Sequence, residues 1–159
     1  MNFKFFTHLM TLLVACVSVL VMNGTAVAIT PKITAGFNHT VVLKNDGTLW
    51  AWGDNYLGQL GDGTIIDKNV PTRIGSGTTW SAVAAGGDHT VALKSDGTLW
   101  TWGDNDYGAV GDGTTGNKYI PTQIVSGTAW STITGGTEHS VALKSDGTLW
   151  AWGYNGFGQ

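Results

Sequence analysis

Cysteine and methionine are absent from residues 29–159, because Cys16 and the three methionines all lie within the first 28 residues. That part of the chain can form no disulfide and has no thiol for nucleophilic chemistry. It is also poor in positive charge, with seven Lys or Arg against eleven Asp or Glu and no basic run. Since binding to a phosphate backbone depends on clustered positive charge, we predict no nucleic-acid partner.

Helical patterning is also missing after residue 28. No segment there sustains apolar residues at i, i+3, i+4 and i+7, so we predict no helices. The 24 glycines and the low charged fraction of 12% favour tight turns and short strands. Eight tryptophans require buried positions, which excludes a disordered chain.

Residues 1–28 have the pattern of a secretory signal peptide. The single charge of Lys4 precedes an apolar stretch over residues 9–22, and small residues end the segment at Ala28. We predict cleavage after Ala28 and a secreted, periplasmic or cell-surface protein without a membrane span after cleavage. Two alternatives stay open: an uncleaved anchor, and lipidation of Cys16 in a segment that resembles a bacterial lipobox.

The rest of the chain repeats itself every fifty residues. The segment 91–100 recurs unchanged as 141–150, with no insertion or deletion between the copies. We place the repeats at 30–79, 80–129 and 130–159, the third being truncated. The positions that recur in phase, which we assign to the structural repeat motif, are His39, Gly47, Trp50, Trp52, Gly53, His89, Gly97, Trp100, Trp102, Gly103, His139, Gly147, Trp150, Trp152 and Gly153.

Each repeat divides into four short strands separated by turn residues. In the second repeat we predict strands at Trp80–Ala85, His89–Lys94, Leu99–Trp102 and Tyr119–Ile124, with a hairpin turn at Asp96-Gly97. Four antiparallel strands per fifty residues indicate a β-propeller blade. We therefore predict an all-β fold, an incomplete propeller of about two and a half blades.

The string from His39 to Gly61, with Asp46-Gly47, Trp50, Trp52 and Gly53 inside it, resembles the repeat of the regulator of chromosome condensation (RCC1) family. The resemblance implies a propeller, commonly of seven blades, here in a secreted bacterial-type member. Because a blade buries its faces only against its neighbours, we expect either a fragment of a longer protein or an assembly of several copies.

The recurring residues favour architecture over chemistry. The paired tryptophans of each repeat could stack on sugars or absorb ultraviolet light, but their identical phase favours packing in the core. Histidines that occur once per blade are spread around an axis rather than gathered on one ion, so we interpret them as residues that stabilise turns. The Asp-Gly-Thr strings lack the alternating ligands of a calcium loop and are interpreted as turns. We predict no metal and no cofactor.

Catalysis needs unlike groups brought together once, and the repeats offer no such constellation, so we predict no enzyme and no catalytic residue. The positions at which the repeats differ are freer to bind a partner. Positions 57, 107 and 157 are apolar or aromatic in every repeat and are expected to pack inside. Our candidate binding residues are therefore Phe37, Tyr56, Asp88, Asp106, Glu138 and Tyr154.

These observations favour an extracytoplasmic protein-interaction scaffold for an unknown protein partner. The alternative is a propeller that binds carbohydrate or cell wall, with Tyr56 and Tyr154 stacked on sugar rings. Guanine-nucleotide exchange, the activity of the family's nuclear namesake, is disfavoured because a leader directs the chain elsewhere.

Overall fold

A computed structural model describes residues 29–77, 79–124 and 129–159, so the predicted signal peptide lies outside the described residues. Eleven strands follow one another in these ranges, and no helix occurs among them. The strands are β1 Lys32–Ala35, β2 His39–Leu43, β3 Leu49–Gly53, β4 Lys68–Ile74, β5 Trp80–Ala85, β6 His89–Lys94, β7 Leu99–Gly103, β8 Lys118–Ile124, β9 Trp130–Gly135, β10 His139–Lys144 and β11 Leu149–Gly153.

The strands form three antiparallel sheets, which we call blades 1 to 3. Blade 1 has the order β1-β2-β3-β4, blade 2 the order β5-β6-β7-β8, and blade 3 contains β9, β10 and β11 in sequence order. The predicted all-β fold with four-stranded blades in an incomplete propeller is confirmed. In blade 2 the first two strands have the predicted bounds, while the third extends to Gly103 and the fourth begins at Lys118.

The hairpin between the second and third strands of each blade is closed by an Asp-Gly-Thr turn. Gly97 adopts a φ of 80°, a conformation open to glycine but strained for other residues. Asp96 Oδ1 accepts hydrogen bonds from the backbone N of Thr98 at 3.0 Å and from its hydroxyl. These bonds hold the pKa of Asp96 below its usual value. The turns at Asp46 and Asp146 repeat the same contacts.

A longer loop links the third and fourth strands and is held by a buried asparagine. In blade 2, Asn105 Nδ2 donates to the carbonyls of Thr114 at 2.9 Å and Gly116 at 3.1 Å, and its Oδ1 accepts from the backbone N of Val110. Asp112, which looks superficially like a calcium ligand, instead forms an ion pair with Lys118 at 2.7 Å.

The hydrophobic core lies between the blades. Leu43, Leu49 and Ile74 of blade 1 pack with Trp80 and Trp102 of blade 2 in one cluster. An equivalent cluster joins blade 2 to blade 3, with Leu99 and Ile124 against Trp130 and Ile133. Neighbouring blades therefore pack face to face through apolar residues, and these residues occupy positions that recur every fifty residues.

No helix within the described ranges is long and apolar enough to cross a membrane.

Candidate interaction surface

The recurring histidine of each blade reaches the next blade. His39 Nε2 lies 3.2 Å from Thr90 Oγ1, and the Thr90 hydroxyl donates to the carbonyl of Gln59 at 2.9 Å. Because this donation uses the only hydroxyl proton, His39 must carry its proton on Nε2 and donate it to Thr90. His39 Nδ1 is correspondingly buried with no hydrogen-bond partner.

The same contacts recur between blades 2 and 3. His89 Nε2 lies 2.9 Å from Ser140 Oγ, which donates to the carbonyl of Ala109 at 2.9 Å. Trp152 Nε1 donates to that carbonyl as well, at 2.9 Å. The histidine side chain was expected to stabilise its own turn, whereas in both cases its hydrogen bond crosses the boundary between blades.

Burial keeps these histidines neutral. It lowers the pKa of His39 to about 4, although the carboxylate of Asp54 partly opposes the change. It lowers the pKa of His89 to about 4 as well, with a further contribution from the neighbouring histidines His39 and His139. A neutral imidazole suits the donor role of Nε2 deduced above.

Glycine supplies the room for each histidine ring. A Cβ on Gly86 would collide with the His89 imidazole and lie 2.7 Å from the carbonyl oxygen of Gly136. Gly103 has a φ of 104°, and a Cβ there would lie 2.5 Å from the carbonyl oxygen of Asp88. Side chains larger than that of glycine are therefore excluded at Gly86 and Gly103 by the packing around His89.

The candidate binding residues lie on one face, which we call the loop face. It consists of the turn before the second strand of each blade and the loop after the third strand. The backbone N of Asp54 donates to the carbonyl of Asn38 at 2.9 Å, and Asp104 N donates to the carbonyl of Asp88 at the same distance. The pair Tyr154 and Glu138 repeats this contact in blade 3.

The six candidates occupy different parts of the loop face. Phe37 is exposed and lines a shallow cavity of about 340 Å³ together with Gly87 and Thr137, where the first strands of the blades meet. Glu138 and Tyr154 line a second cavity of about 270 Å³.

The remaining three candidates lie in or beside the same loops. Tyr56 is exposed, and its backbone N donates to Asp54 Oδ1 at 3.2 Å. Asp106 is exposed at the equivalent position, with its backbone N bonded to Asp104 Oδ1 at 3.2 Å. Burial raises the pKa of Asp88, and the carboxylates of Asp54 and Asp104 raise it further. The negatively charged side chains of Asp54, Asp88 and Asp104 therefore lie close together.

Two aromatic residues on this face were expected to be packed inside. Tyr107 and Phe157 are instead exposed, and their rings lie 5.0 Å and 6.2 Å from that of Tyr154. The contact between Tyr107 and Tyr154 joins blade 2 to blade 3.

The loop face is acidic. Its carboxylates are Asp54, Asp62, Asp67, Asp88, Asp104, Asp106, Asp112 and Glu138, of which Asp62 and Asp112 are paired with Lys68 and Lys118. The lysines Lys44, Lys94 and Lys144 lie at the opposite ends of the second strands, where each stacks on a tryptophan ring. Within the three described ranges, no group of His, Cys, Asp and Glu is placed to hold a metal ion.

Solved structures with the same architecture come from human and yeast proteins. Human WBSCR16 matches with a TM-score of 0.72 and 26% identity, over 77% of this chain and 32% of that protein. Prp20p from Saccharomyces cerevisiae, studied for its binding to Gsp1p and histones, matches with a TM-score of 0.67 and 28% identity, over 78% and 33%. A yeast RCC1 (Prp20) chain bound by Kap60 gives a TM-score of 0.69 at 26% identity, over 78% and 32%. The chain spans about a third of each of these proteins.

Comparison of the sequence with known proteins leads to the same family as the comparison of structures. The ultraviolet-B receptor UVR8 of Arabidopsis thaliana is 40% identical over 43 residues, which cover 27% of this chain and 10% of the receptor. Two models described as the regulator of chromosome condensation (RCC1) repeat match, one at residues 46–93 and 96–143 and the other at 32–59, 80–109 and 130–159. The chain therefore belongs to the regulator of chromosome condensation (RCC1) repeat family.

Proposed function

We propose that this chain is an extracytoplasmic, non-catalytic scaffold whose loop face binds a basic segment of a partner protein. The observation that carries the proposal is the segregation of charge. Eight carboxylates outnumber two lysines on the loop face, whereas at the opposite end the three stacked lysines match the three aspartates of the hairpin turns. Exposed aromatic rings lie among these carboxylates, and aromatic anchors within a charged rim are typical of protein interfaces.

The crowding of Asp54, Asp88 and Asp104 supports a cationic ligand. Burial raises the pKa of Asp88, and repulsion by the carboxylates of Asp54 and Asp104 raises it further. A lysine or arginine of the partner placed among them would relieve this repulsion and gain charge-assisted hydrogen bonds. Electrostatic attraction of this kind also accelerates association and makes binding sensitive to salt.

The engagement of the histidines supports a non-catalytic role. His39 and His89 are neutral, buried and bonded to the next blade, so they are not available as general bases. The similar yeast Prp20p is described with protein partners, which are Gsp1p, histones and Kap60. The predicted signal peptide is the basis for placing the present chain outside the cytoplasm.

An array of peptides with matched length and graded net charge tests the proposal. We expect the purified protein to bind lysine- and arginine-rich peptides that carry an aromatic residue, and the double variant Asp88→Asn/Asp104→Asn to bind them at least tenfold more weakly. Asparagine keeps the side-chain oxygen that accepts the bond from Asp106 N. The control is Asp96→Asn/Asp146→Asn, which removes the same charge from the opposite hairpins and should bind normally. Equal loss in both variants, or a preference for acidic peptides, would overturn the proposal.

The cluster of Tyr107, Tyr154 and Phe157 beside Glu138 favours a second candidate, the binding of carbohydrate. Aromatic rings stack on sugar faces, and a carboxylate accepts hydrogen bonds from sugar hydroxyls. A glycan array probed with the protein and with Tyr154→Ala separates the two functions. Sugar binding that Tyr154→Ala abolishes, without any binding to basic peptides, would favour carbohydrate over protein.

A further inference from the structure

Tyr107 and Tyr154 are the two tyrosines whose rings meet in the described part of the chain. Their ring centroids are 5.0 Å apart, and the ring planes are inclined at 66°. This separation is near the short end of the range for contacting aromatic rings, which is about 4.5 to 7 Å. In an edge-to-face pair of this kind, carbons on the edge of one ring lie against the other ring. The two phenols are therefore in contact across the boundary between blades 2 and 3.

The loops that carry the two tyrosines are held by hydrogen bonds. The turn that contains Tyr107 is closed by a bond from the Gly108 N to the carbonyl of Asn105 at 2.8 Å, and Asn105 is fully buried. Tyr154 directly follows strand β11, and its own N donates to the carbonyl of Glu138 at 2.9 Å. The fold thus positions the two rings beside each other, and groups held in this way react together at a high effective concentration.

The other two tyrosines of the described chain have no such partner. Tyr56 is 73% exposed, and no tyrosine ring in the described ranges is in contact with it. Tyr119 lies on the outer strand β8, where its ring is next to Gly58. The paired rings are themselves open to solvent, since Tyr107 is 52% exposed and Tyr154 is half-buried. A small oxidant can therefore reach the pair.

The chain after residue 28 offers no sulfur atom to such an oxidant. Residues 29–159 contain neither cysteine nor methionine. The side chains of both residue types are common targets of peroxide. Their absence leaves tyrosine and tryptophan as the most easily oxidised residues in this part of the chain. It also means that no disulfide can join one blade to the next.

We propose that Tyr107 and Tyr154 form a modification site, at which oxidation joins the two rings by a carbon–carbon bond. The oxidant is hydrogen peroxide acting through a haem peroxidase. Each phenol gives up one electron and its hydroxyl proton, and these two electrons and two protons reduce one peroxide to two molecules of water. The two phenoxyl radicals combine at a Cε carbon of each ring, next to the hydroxyl group. The hydrogen on each of these carbons then leaves as a proton, and the phenol oxygen takes up a proton in its place.

The new bond links blade 2 to blade 3 covalently. It restricts the unfolded chain in the way that a disulfide does, so it stabilises the folded state. It also fixes two loops of the loop face relative to each other. The modification goes beyond the proposed binding function and does not depend on it, because the reaction requires only the contact between the two rings.

Treatment of the dilute purified protein with a haem peroxidase and hydrogen peroxide tests the proposal. We expect dityrosine fluorescence, a monomer whose intact mass has fallen by two hydrogen atoms, and a higher midpoint of urea denaturation. Trypsin separates the four tyrosines, because a lysine lies between each of them and the next. The expected product is the peptide that contains Tyr107 joined to the peptide that contains Tyr154.

Single substitutions by phenylalanine identify the residues that react. Tyr107→Phe and Tyr154→Phe each keep a ring in the contact but remove one phenol, so the yield of dityrosine within the monomer should fall about tenfold or more. The matched controls are Tyr56→Phe and Tyr119→Phe, which remove a phenol outside the pair and should give the wild-type yield. A wild-type protein without the cross-link, dityrosine formed only between molecules, or a yield that the four substitutions lower equally would overturn the proposal.

Discussion

His39 and Thr90, which are 51 residues apart, meet across the boundary between blades 1 and 2, with the His39 Nε2 atom 3.2 Å from Thr90 Oγ1. The separation is one repeat plus one residue. The contact therefore joins each blade to the next, and His89 and Ser140 repeat it at the same separation. The recurring histidine therefore links adjacent blades by a hydrogen bond.

Removing the Thr90 hydroxyl should weaken the contact between blades 1 and 2. Thr90→Val leaves the His39 N–H and the Gln59 carbonyl with one buried partner fewer, and we expect a loss of about 2 kcal/mol in the free energy of unfolding. Thr40→Val is the matched control, because no histidine among the described residues bonds to that hydroxyl. Urea denaturation measures both, and equal effects of the two substitutions would contradict the assigned role of Thr90.

Stability should fall as the pH drops below about 6.5. The folded pKa values of His39 and His89 are about 4, below the ordinary value of 6.5, so the unfolded chain takes up protons first. The stabilisation is complete above pH 6.5 and is lost progressively towards pH 4, by an amount on the order of 3 kcal/mol for each histidine.

Urea denaturation between pH 5 and 6.5 gives the number of protons taken up on unfolding. Asp88, whose pKa is raised in the folded state, acts in the opposite direction and reduces the number of protons taken up. We expect about two protons for the wild type and about one for His89→Gln near pH 5. A free energy of unfolding that does not change over this range would show that the histidines are not held neutral by burial.

Glycine should be required beside the histidine ring. In Gly86→Ala the added methyl group collides with the His89 imidazole, and we expect a loss of at least about 3 kcal/mol or a chain that fails to fold. Gly116→Ala is the control, since a Cβ there meets nothing within 4 Å. Its midpoint of urea denaturation should stay close to that of the wild type, and a comparable loss there would argue against the collision.

Trp102 of blade 2 should contribute more to stability than Trp150 of blade 3. Trp102 is fully buried and donates to the Gln59 carbonyl at 3.0 Å, whereas Trp150 is half exposed. We expect Trp102→Phe to cost about 2 kcal/mol of stability and Trp150→Phe less than about 0.5 kcal/mol. Fluorescence quenching by iodide should be more effective on Trp150, and the reverse order of either effect would contradict this arrangement.

Most of the fold could be predicted, because short local patterns define its strands and turns and these patterns recur in every repeat. Alternation along segments such as His89–Lys94, and turn residues such as Asp96-Gly97, define strands without reference to distant parts of the chain. The contact between His39 and Thr90 could not be read in this way, because it depends on how whole blades stack. The exposure of Tyr107 was missed for the same reason, since an aromatic residue in a constant phase looks like a core residue until the neighbouring loop is placed.

The most direct test of the proposed function is the salt dependence of binding to a basic peptide from the array, measured by fluorescence anisotropy. If the acidic loop face holds the partner, the affinity of the wild type should fall steeply between low and physiological ionic strength. Asp88→Asn/Asp104→Asn should bind more weakly and with a shallower dependence. Binding that is insensitive to salt, or identical slopes in the wild type and the double variant, would contradict the account.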